Sequence, residues 1–430
     1  MRGSFLLFRL DGLSMFLIVA LTAFGWLNIY STTIEVDGAA ALLDLTTSHG
    51  KQLFFALVAL AAMIVLSFID EHLIKRYSSI SYLFGLTLLL GLFVFGSTIA
   101  GATSWYDLGP INFQPSELMK LLTALAMAKF LSDTGVSLQR STDQFYAVLI
   151  ITIPVLLVLM QPDPGSALVY LSLFLVLFRE GLPLYYFFAV LLTGLTFSLT
   201  LMFGRNALLI GTALGFLTYF LIRPKKKKRP PLLFDVLFPL TQLGIVALTP
   251  WVFSSIFKQH HRDRFSLWLG LESDPEKMLT IKQTIGYNTY QAEQAIASGR
   301  WWGKGFLQGT RTKGDFVPAQ HTDYIFSSVG EEWGFVVSAL VILAFVGLLL
   351  RFVQLADRQK QAFHRIYGYG VISILFIHFT INIGMVLGLL PTIGIPLPFF
   401  SYGGSGLFFF LLMCFIFLKM DANRHKTHFN

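Results

Sequence analysis

Long apolar runs separated by short polar breaks dominate this chain, and twelve of them read as membrane-spanning helices. They fall near 11–31, 52–70, 79–99, 115–132, 146–162, 166–180, 183–203, 206–222, 233–256, 323–350, 367–390 and 403–419. A spanning helix needs about 20 apolar residues, with ~17 as the lower limit, and the run at 166–180 is the shortest. Short-loop charge sets the orientation: the basic loop 223–231 (RPKKKKRPP) belongs in the cytoplasm. Counting outward puts Asp70–Arg76, Arg351–Arg365 and the Lys419–Lys426 tail on that side, and the Ile34–Lys51 loop with Glu35, Asp37 and Asp44 outside. An even number of spans places both termini in the cytoplasm.

Loop 258–321 breaks the charge pattern. It falls outside, yet its 64 residues carry nine Lys/Arg against six Asp/Glu. A loop of that length translocates regardless of charge, so the topology stands. Its cations are either ordinary solvated surface or a platform for diphosphate and anionic headgroups.

Composition agrees with the pattern. The chain has 430 residues, of which 55% are hydrophobic and 13% charged, which excludes a soluble protein of this size. The expected fold class is an all-α polytopic membrane protein, one integral membrane domain over 1–430. A net charge of +8 would suggest nucleic acid in a soluble chain; here the cations mark cytoplasmic loops, so no nucleic acid is expected. The single cysteine, Cys414, lies in the last apolar run and reads as a small core residue. The first apolar stretch, about Leu13 to Ile29, lacks a small-residue cleavage site and reads as a span.

Candidate chemistry sits where polar residues interrupt apolar runs. Gly299–Trp333 begins basic and glycine-rich and then reads HTDYIFSSVGEEW, with Asp323 at the mouth of an apolar run. A helix dipole favours an anion at that end, so Asp323 is either a plain N-terminal helix acid or a reactive carboxylate at the outer face. Glu331 and Glu332 lie deeper, facing a polar cavity or paired with cations. In FQPSELMK, Pro115 suits a first helical position, and Glu117 and Lys120, three apart, share a face and can pair. They form a self-neutralised pair or a polar wall near the outer leaflet, with Trp105 and Tyr106 upstream as an interfacial aromatic belt. Asp163 sits in QPDPGSA, where Pro162, Pro164 and Gly165 break the helix; the choice is a surface turn or irregular backbone around a cavity. The stretch LLPTIGIPLPFFSYGGSG, with Pro391, Pro396, Pro398 and Ser401, is too rich in Pro and Gly for a helix. It is too apolar for an ordinary loop, and reads as a re-entrant segment lining a cavity. Gly384 and Gly388 form a weak GxxxG.

Together FQPSELMK (113–120), QPDPGSA (161–167), GKGFLQGT (303–310), HTDYIF (321–326), EEWG (331–334) and NIGMVLGLLPTIGIPLPFFSYGGSG (382–406) resemble the SEDS family (shape, elongation, division and sporulation), its rod-shape branch more than its division branch. The resemblance implies a ten-helix bundle with a large outer loop, here with an extra pair of spans near 206–256. It implies a peptidoglycan glycosyltransferase that polymerises lipid II at the outer face of the bacterial cytoplasmic membrane, with a class B penicillin-binding protein as partner. By the same resemblance Asp323 is the essential acid of the big loop, Glu117 and Lys120 the polar pair of the fourth helix, and Asp163 the acid of the broken helix. Lys304, Arg300, Gln291 and Ser401 are expected to support substrate. Two positions depart from the family pattern. Ser104 stands where many relatives have Arg, removing a phosphate-binding cation that Arg300 is the candidate to replace. Gln291, Ala292 and Ser298–Arg300 replace a glycine- and serine-rich motif.

The implied chemistry fits one carboxylate. A sugar hydroxyl is a poor nucleophile and needs a base, whereas a diphosphate leaves without a strong acid and needs cationic stabilisation. Lys/Arg or a divalent cation such as Mg or Mn can supply that. Two rivals remain: a transporter of lipid-linked precursor, which broken helices also suit, and a non-catalytic scaffold for wall enzymes.

Overall fold

The computed structural model describes residues 9–33, 44–99, 101–109, 111–222, 232–257, 259–271, 286–314, 316–317 and 320–424, with Asp274, Glu276, Thr280, Ile281 and Thr284. Among them ten helices are long and apolar enough to cross a membrane. Contacts divide the chain into two compact units, Met1–Gly181 with Gln291–Asn430, and Leu182–Tyr290.

The larger unit opens with α1 (Gly12–Thr33), α2 (Ser48–Phe68) and α3 (Glu71–Phe95). The side chain of Thr47 accepts from the Gly50 amide and that of Asp70 from the His72 amide, so two of these helices start on side-chain caps. After Gly96 the chain turns into a small antiparallel sheet, β1 (Ser97–Ile99), β2 (Ala102–Asp107) and β3 (Asn112–Phe113), in the order β1-β2-β3. Tyr106 pairs with Phe113 and Asp107 with Asn112. Then come α4 (Pro115–Leu131), α5 (Ser141–Met160), α6 (Pro164–Leu171) and α7 (Phe174–Arg179).

The same unit resumes beyond Gln291 with most of α12 (Tyr287–Gly299; α8–α11 follow below), then α13 (Thr310–Lys313), α14 (Ile325–Asp357), α15 (Ala362–Val386) and α16 (Gly404–Ala422). α15 and α16 are the core: 72% and 83% of their apolar windows are buried, against 11% for α2, which leaves most of α2 to face lipid. Without a hydrophobic drive between helices in lipid, close approach over small residues does the packing. Gly370 of α15 lies against Ala124 of α4, where an added Cβ would stand 3.1 Å from the alanine methyl.

α14 is not one continuous helix. Gly334 has φ 74° and ψ −173°, and the break frees backbone groups on both sides. The strand-like stretch Arg300–Gly305 takes them up: Phe335 N donates to Arg300 O at 2.8 Å, Val336 N to Trp301 O at 3.2 Å, Lys304 N to Glu331 O at 3.0 Å and Gly305 N to Glu332 O at 2.9 Å. Glycine is required at 334, because the φ is left-handed and a Cβ would meet Gly303 N and come within 2.7 Å of Trp301 O.

The ends that charge counting puts on one side meet in ion pairs. Arg358 pairs with Asp421, and Lys419 donates to the carbonyls of Leu66 and Ile69 at the end of α2. Asp11 accepts from the Ser14 amide at 3.0 Å, capping α1, and binds Arg351 of α14 at 2.5 Å.

The smaller unit contains α8 (Tyr185–Phe203), α9 (Arg205–Ile222), α10 (Leu232–Trp251) and α11 (Gln259–Leu269), with a π-helical turn at Val252–Ile256 after Pro250. Gln242 donates to Thr193 at 2.8 Å between α10 and α8, and α9 buries no residue. The added spans near 206–256 are α9 and α10.

Each of the twelve expected spans corresponds to helix. The two outside the ten are α4, 17 residues long and carrying Glu117 and Lys120, and the stretch 166–180, which is the broken pair α6–α7. Two boundaries differ. The expected third span ran to 99, but residues 97–99 are strand, since Gly96 ends α3 and Thr, Ile and Trp favour a pleated surface. The span expected from 323 begins at Ile325, leaving Asp323 in the turn before it. The basic loop 223–231 lies outside the described residues.

Burial works against ionising Asp11, but Arg351 and the two Ser14 hydrogen bonds outweigh it and bring the group down to about 2 from 3.8. A carboxylate depressed in the fold stabilises it above its unfolded value and loses that contribution as pH falls through the folded one. Asp11→Asn is therefore expected to lower the thermal midpoint in detergent at neutral pH by the equivalent of about 1 kcal/mol, a figure reduced for solvent screening. The difference from the unaltered chain should shrink between pH 4 and 2; a difference that persists at pH 2 would disprove the linkage.

Candidate active site

α4 brings the first polar pair into the core. Pro115 occupies its first turn, where a missing N–H costs nothing, and Glu117 and Lys120 follow one turn apart on the same face. Lys120 Nζ lies 2.6 Å from Glu117 Oε1, and both side chains are buried. Lys120 also meets His378 Nε2 of α15 at 3.0 Å, and His378 Nδ1 lies 3.0 Å from the carbonyl of Pro396 in the re-entrant segment.

The break between α5 and α6 places the second acid. Asp163 caps α6, its Oδ1 accepting from Ser166 N at 3.0 Å, while Oδ2 accepts from Gln114 Nε2 at 3.2 Å just ahead of α4. Gln161 fastens the break from the other side, donating to Leu89 O at 2.9 Å and accepting at its own carbonyl from Thr103 N at 3.2 Å. Tyr170 of α6 donates to Ser116 O at 2.7 Å. The turn reading and the cavity reading of Asp163 are both realised: it is a cap, and it lines a cavity.

Asp323 is placed by the re-entrant segment. Asn382 of α15 donates to the carbonyls of Asp323 at 2.8 Å and Ile395 at 2.7 Å, so one amide joins the turn before α14 to the segment. Tyr402 N donates to His321 O at 2.8 Å, and Tyr324 OH to Thr392 at 3.3 Å. Gly394 has φ 80°, and a Cβ there would stand 3.3 Å from Asp323 Oδ2.

These elements enclose a cavity of about 450 Å³ lined by Asp323, Asp163, Glu117, Lys120, His378 and Lys51, with Trp105 of β2 at its wall. Four expected residues therefore come together: Asp323, Glu117, Lys120 and Asp163. Lys304, Arg300, Gln291 and Ser401 do not line it. Ser401 lies one residue from the cavity-lining Tyr402, its hydroxyl accepting from Leu397 N at 2.8 Å inside the re-entrant segment.

The other three belong to the basic loop, which is folded onto a buried carboxylate. Glu331 accepts from Lys304 at 2.6 Å, from the Arg311 and Thr312 amides at 2.9 and 2.8 Å, and from the Thr312 hydroxyl at 2.7 Å. Arg311 in turn holds Gln291. Lys313 donates to Ser31 O at 3.0 Å, burial lowering its pKa despite the pull of Glu332. Glu332 is bound by the Ser31 hydroxyl at 2.5 Å. Sequence reasoning missed Lys51, His378 and Asn382. His378 and Asn382 stand four apart on one face of α15, a spacing that was visible but looked like polar residues in a core helix. No group of three or more His, Cys, Asp or Glu suited to a metal occurs among the described residues.

The chain is similar throughout to known proteins. A family profile described as cell cycle protein, FTSW_RODA_SPOVE, matches residues 12–212 and 234–426. The peptidoglycan glycosyltransferase RodA of Treponema pallidum is 30% identical over 96% of this chain and 98% of that protein. The peptidoglycan glycosyltransferase MrdB of Escherichia coli K12 is 30% identical over 97% and 94%. A chain of a peptidoglycan synthase complex, described as coordinating polymerization and crosslinking, superposes with TM-score 0.69 at 27% identity over 97% of this chain and 99% of that one. The rod shape determining protein RodA of Thermus thermophilus gives TM-score 0.61 at 24% identity over 97% and 98%, a likeness of fold.

Glu331→Ala would strand the Lys304 ammonium and expose the Arg311 and Thr312 donors. Removing one partner of a buried pair costs roughly 3–5 kcal/mol. The expected result is a lower thermal midpoint, together with faster hydrogen exchange confined to residues 300–313. Unchanged exchange there would show that the loop is held by something else.

Proposed function

This chain belongs to the FtsW, RodA and SpoVE family of membrane proteins and is a peptidoglycan glycosyltransferase; from that premise we propose that its polar cavity polymerises lipid II, with Asp323 as the general base. The observation that carries the reading is the company Asp323 keeps: one cavity joins it to the buried Glu117–Lys120 pair and to Lys51.

The reaction forms a bond between a sugar hydroxyl of the acceptor and the anomeric carbon of the donor, and breaks the bond from that carbon to a polyprenyl diphosphate. Asp323 takes the hydroxyl proton, and attack from the face opposite the leaving group inverts the donor carbon. The diphosphate departs with the electron pair, so no strong acid is required; ordinary glycosidases need a second carboxyl because they expel an alcohol. Lys120 and Lys51 are the cations placed to meet the charge that develops on the diphosphate. This shifts the cationic role from Lys304, which is engaged with Glu331, to α2 and α4.

A divalent cation such as Mg or Mn suits the site only as a companion of the diphosphate. Such ions on phosphates take one or two carboxylates and waters rather than an all-protein cage. Asp163 is engaged with Ser166 and Gln114 and Glu117 with Lys120, which leaves Asp323 to share the ion with the substrate. The ion would offset diphosphate charge.

The polyprenyl tail explains why the site lies in a membrane bundle: each CH₂ withdrawn from lipid costs about 0.8 kcal/mol, so the chemistry must be brought to the anchored head group. The multi-pass chain is proposed to work in the bacterial cytoplasmic membrane at its outer face. Its proposed partner is a class B penicillin-binding protein, in keeping with the similar chain from a complex that couples polymerization to crosslinking.

Purified Asp323→Asn protein, given labelled lipid II in detergent with the partner transpeptidase, is expected to lose polymer by roughly 10²–10⁴-fold, the usual worth of a general base. Detergent removes the two sides of a bilayer, so a flippase would show no lipid II consumption even with the natural sequence. Polymer made by the Asn variant at the normal rate would reject the role of Asp323.

A further inference from the structure

His378 belongs to no motif that the sequence singles out, yet it is buried in the cavity wall with both ring nitrogens engaged. The Pro396 carbonyl can only accept, so the Nδ1 atom 3.0 Å from it must carry the ring proton. An ammonium can only donate, so Nε2, 3.0 Å from Lys120 Nζ, must present its lone pair. The two contacts together specify a neutral imidazole in a single tautomer.

The consequence falls on Lys120. Its ammonium has three donors. Glu117 Oε1 takes one at 2.6 Å and His378 Nε2 takes another at 3.0 Å, which leaves the third for the cavity that Lys120 lines. The Phe410 ring backs both groups, 5.8 Å from Nζ and edge-on to the imidazole at 4.8 Å, and closes the side away from the cavity. With Glu117 alone, the flexible lysine stem could swing about a single contact.

We propose that His378 is a positioning residue for glycan polymerisation, an acceptor that fixes the Lys120 ammonium so that its remaining N–H meets the anionic diphosphate of the donor. Through Pro396 it also ties that ammonium to the re-entrant segment. Asn382, one turn further along α15, ties the same segment to the backbone of Asp323. α15 thereby sets the spacing between the group that receives the proton and the cation that receives the leaving charge. The inference rests on the polymerase reading above and adds a residue to it.

The test measures kcat and KM for lipid II with the full chain and its partner, for His378→Phe, His378→Gln, Lys120→Met and the His378→Phe/Lys120→Met double variant. A misplaced reacting group costs on the order of a hundredfold, and that loss in kcat is expected of His378→Phe. The double variant should be no slower than Lys120→Met, because two residues acting as one unit do not add. His378→Gln, whose amide can both accept and donate, should recover most of the rate with the natural pH profile. Three results would overturn the proposal: natural kcat in His378→Phe, multiplicative losses in the double variant, or loss of a near-neutral limb of the pH profile in His378→Gln, which would make His378 a proton carrier. Should His378→Phe fail to fold, His378→Asn replaces it, being too short to span Lys120 and Pro396, and a natural rate from it is equally fatal. Absence of polymer from the unaltered chain would instead sink the polymerase reading itself.

Discussion

Away from water, a break in a helix must find new partners for the backbone groups it frees, and three such breaks organise this protein. At 161–163 the partners are the Asp163 cap with contacts to Thr103 and Leu89. At Gly334 they are the backbone groups of Arg300–Gly305. Between α15 and α16 they come from the side chains of His378, Asn382 and Gln52, the last bridging Ser401 O and Gly403 N. The first and third breaks line the cavity, while the second docks the basic loop. Irregular backbone is thus confined to places where it also presents chemistry.

Charge follows the same rule. Buried ions persist where their surroundings supply solvation, and the chain does this in two separate ways. Glu331 is saturated by amides, a hydroxyl and Lys304, which spends the loop's cations on architecture. Glu117 and Lys120 are closed more sparingly, with His378 as the third member, and this arrangement keeps donor capacity turned toward the cavity. The difference in saturation separates a structural charge from a working one more clearly than burial does, since all of these groups except Lys304 are buried.

The spans were legible because a membrane imposes length and apolarity directly on sequence. The same logic misplaced the end of the third span, where Gly96 and a few β-prone residues matter more than hydropathy. Asp323, Asp163, Glu117 and Lys120 stood out because a carboxylate or ammonium is conspicuous in an apolar run, and they share one cavity. Lys304, Arg300 and Gln291 were misleading because a local cationic pattern does not reveal a neutralising acid some twenty residues or more away: Lys304 and Glu331 are 27 apart. Lys51 was hidden for the opposite reason, being a lone lysine at the start of a helix, an ordinary solvated residue by every local measure. His378 and Asn382 could not be read without knowing that Pro396 and Asp323 lie across from them.

Gly394 carries a quieter implication. Its missing methyl leaves the Asp323 carboxylate uncrowded on the flank facing the re-entrant segment. The room in which that acid can turn between an incoming hydroxyl and a neighbouring ion is thus set by a single absent carbon on a backbone that only glycine adopts comfortably. Reach and orientation of the acid are written into main-chain curvature rather than into any side chain, and a survey restricted to functional groups would pass over them.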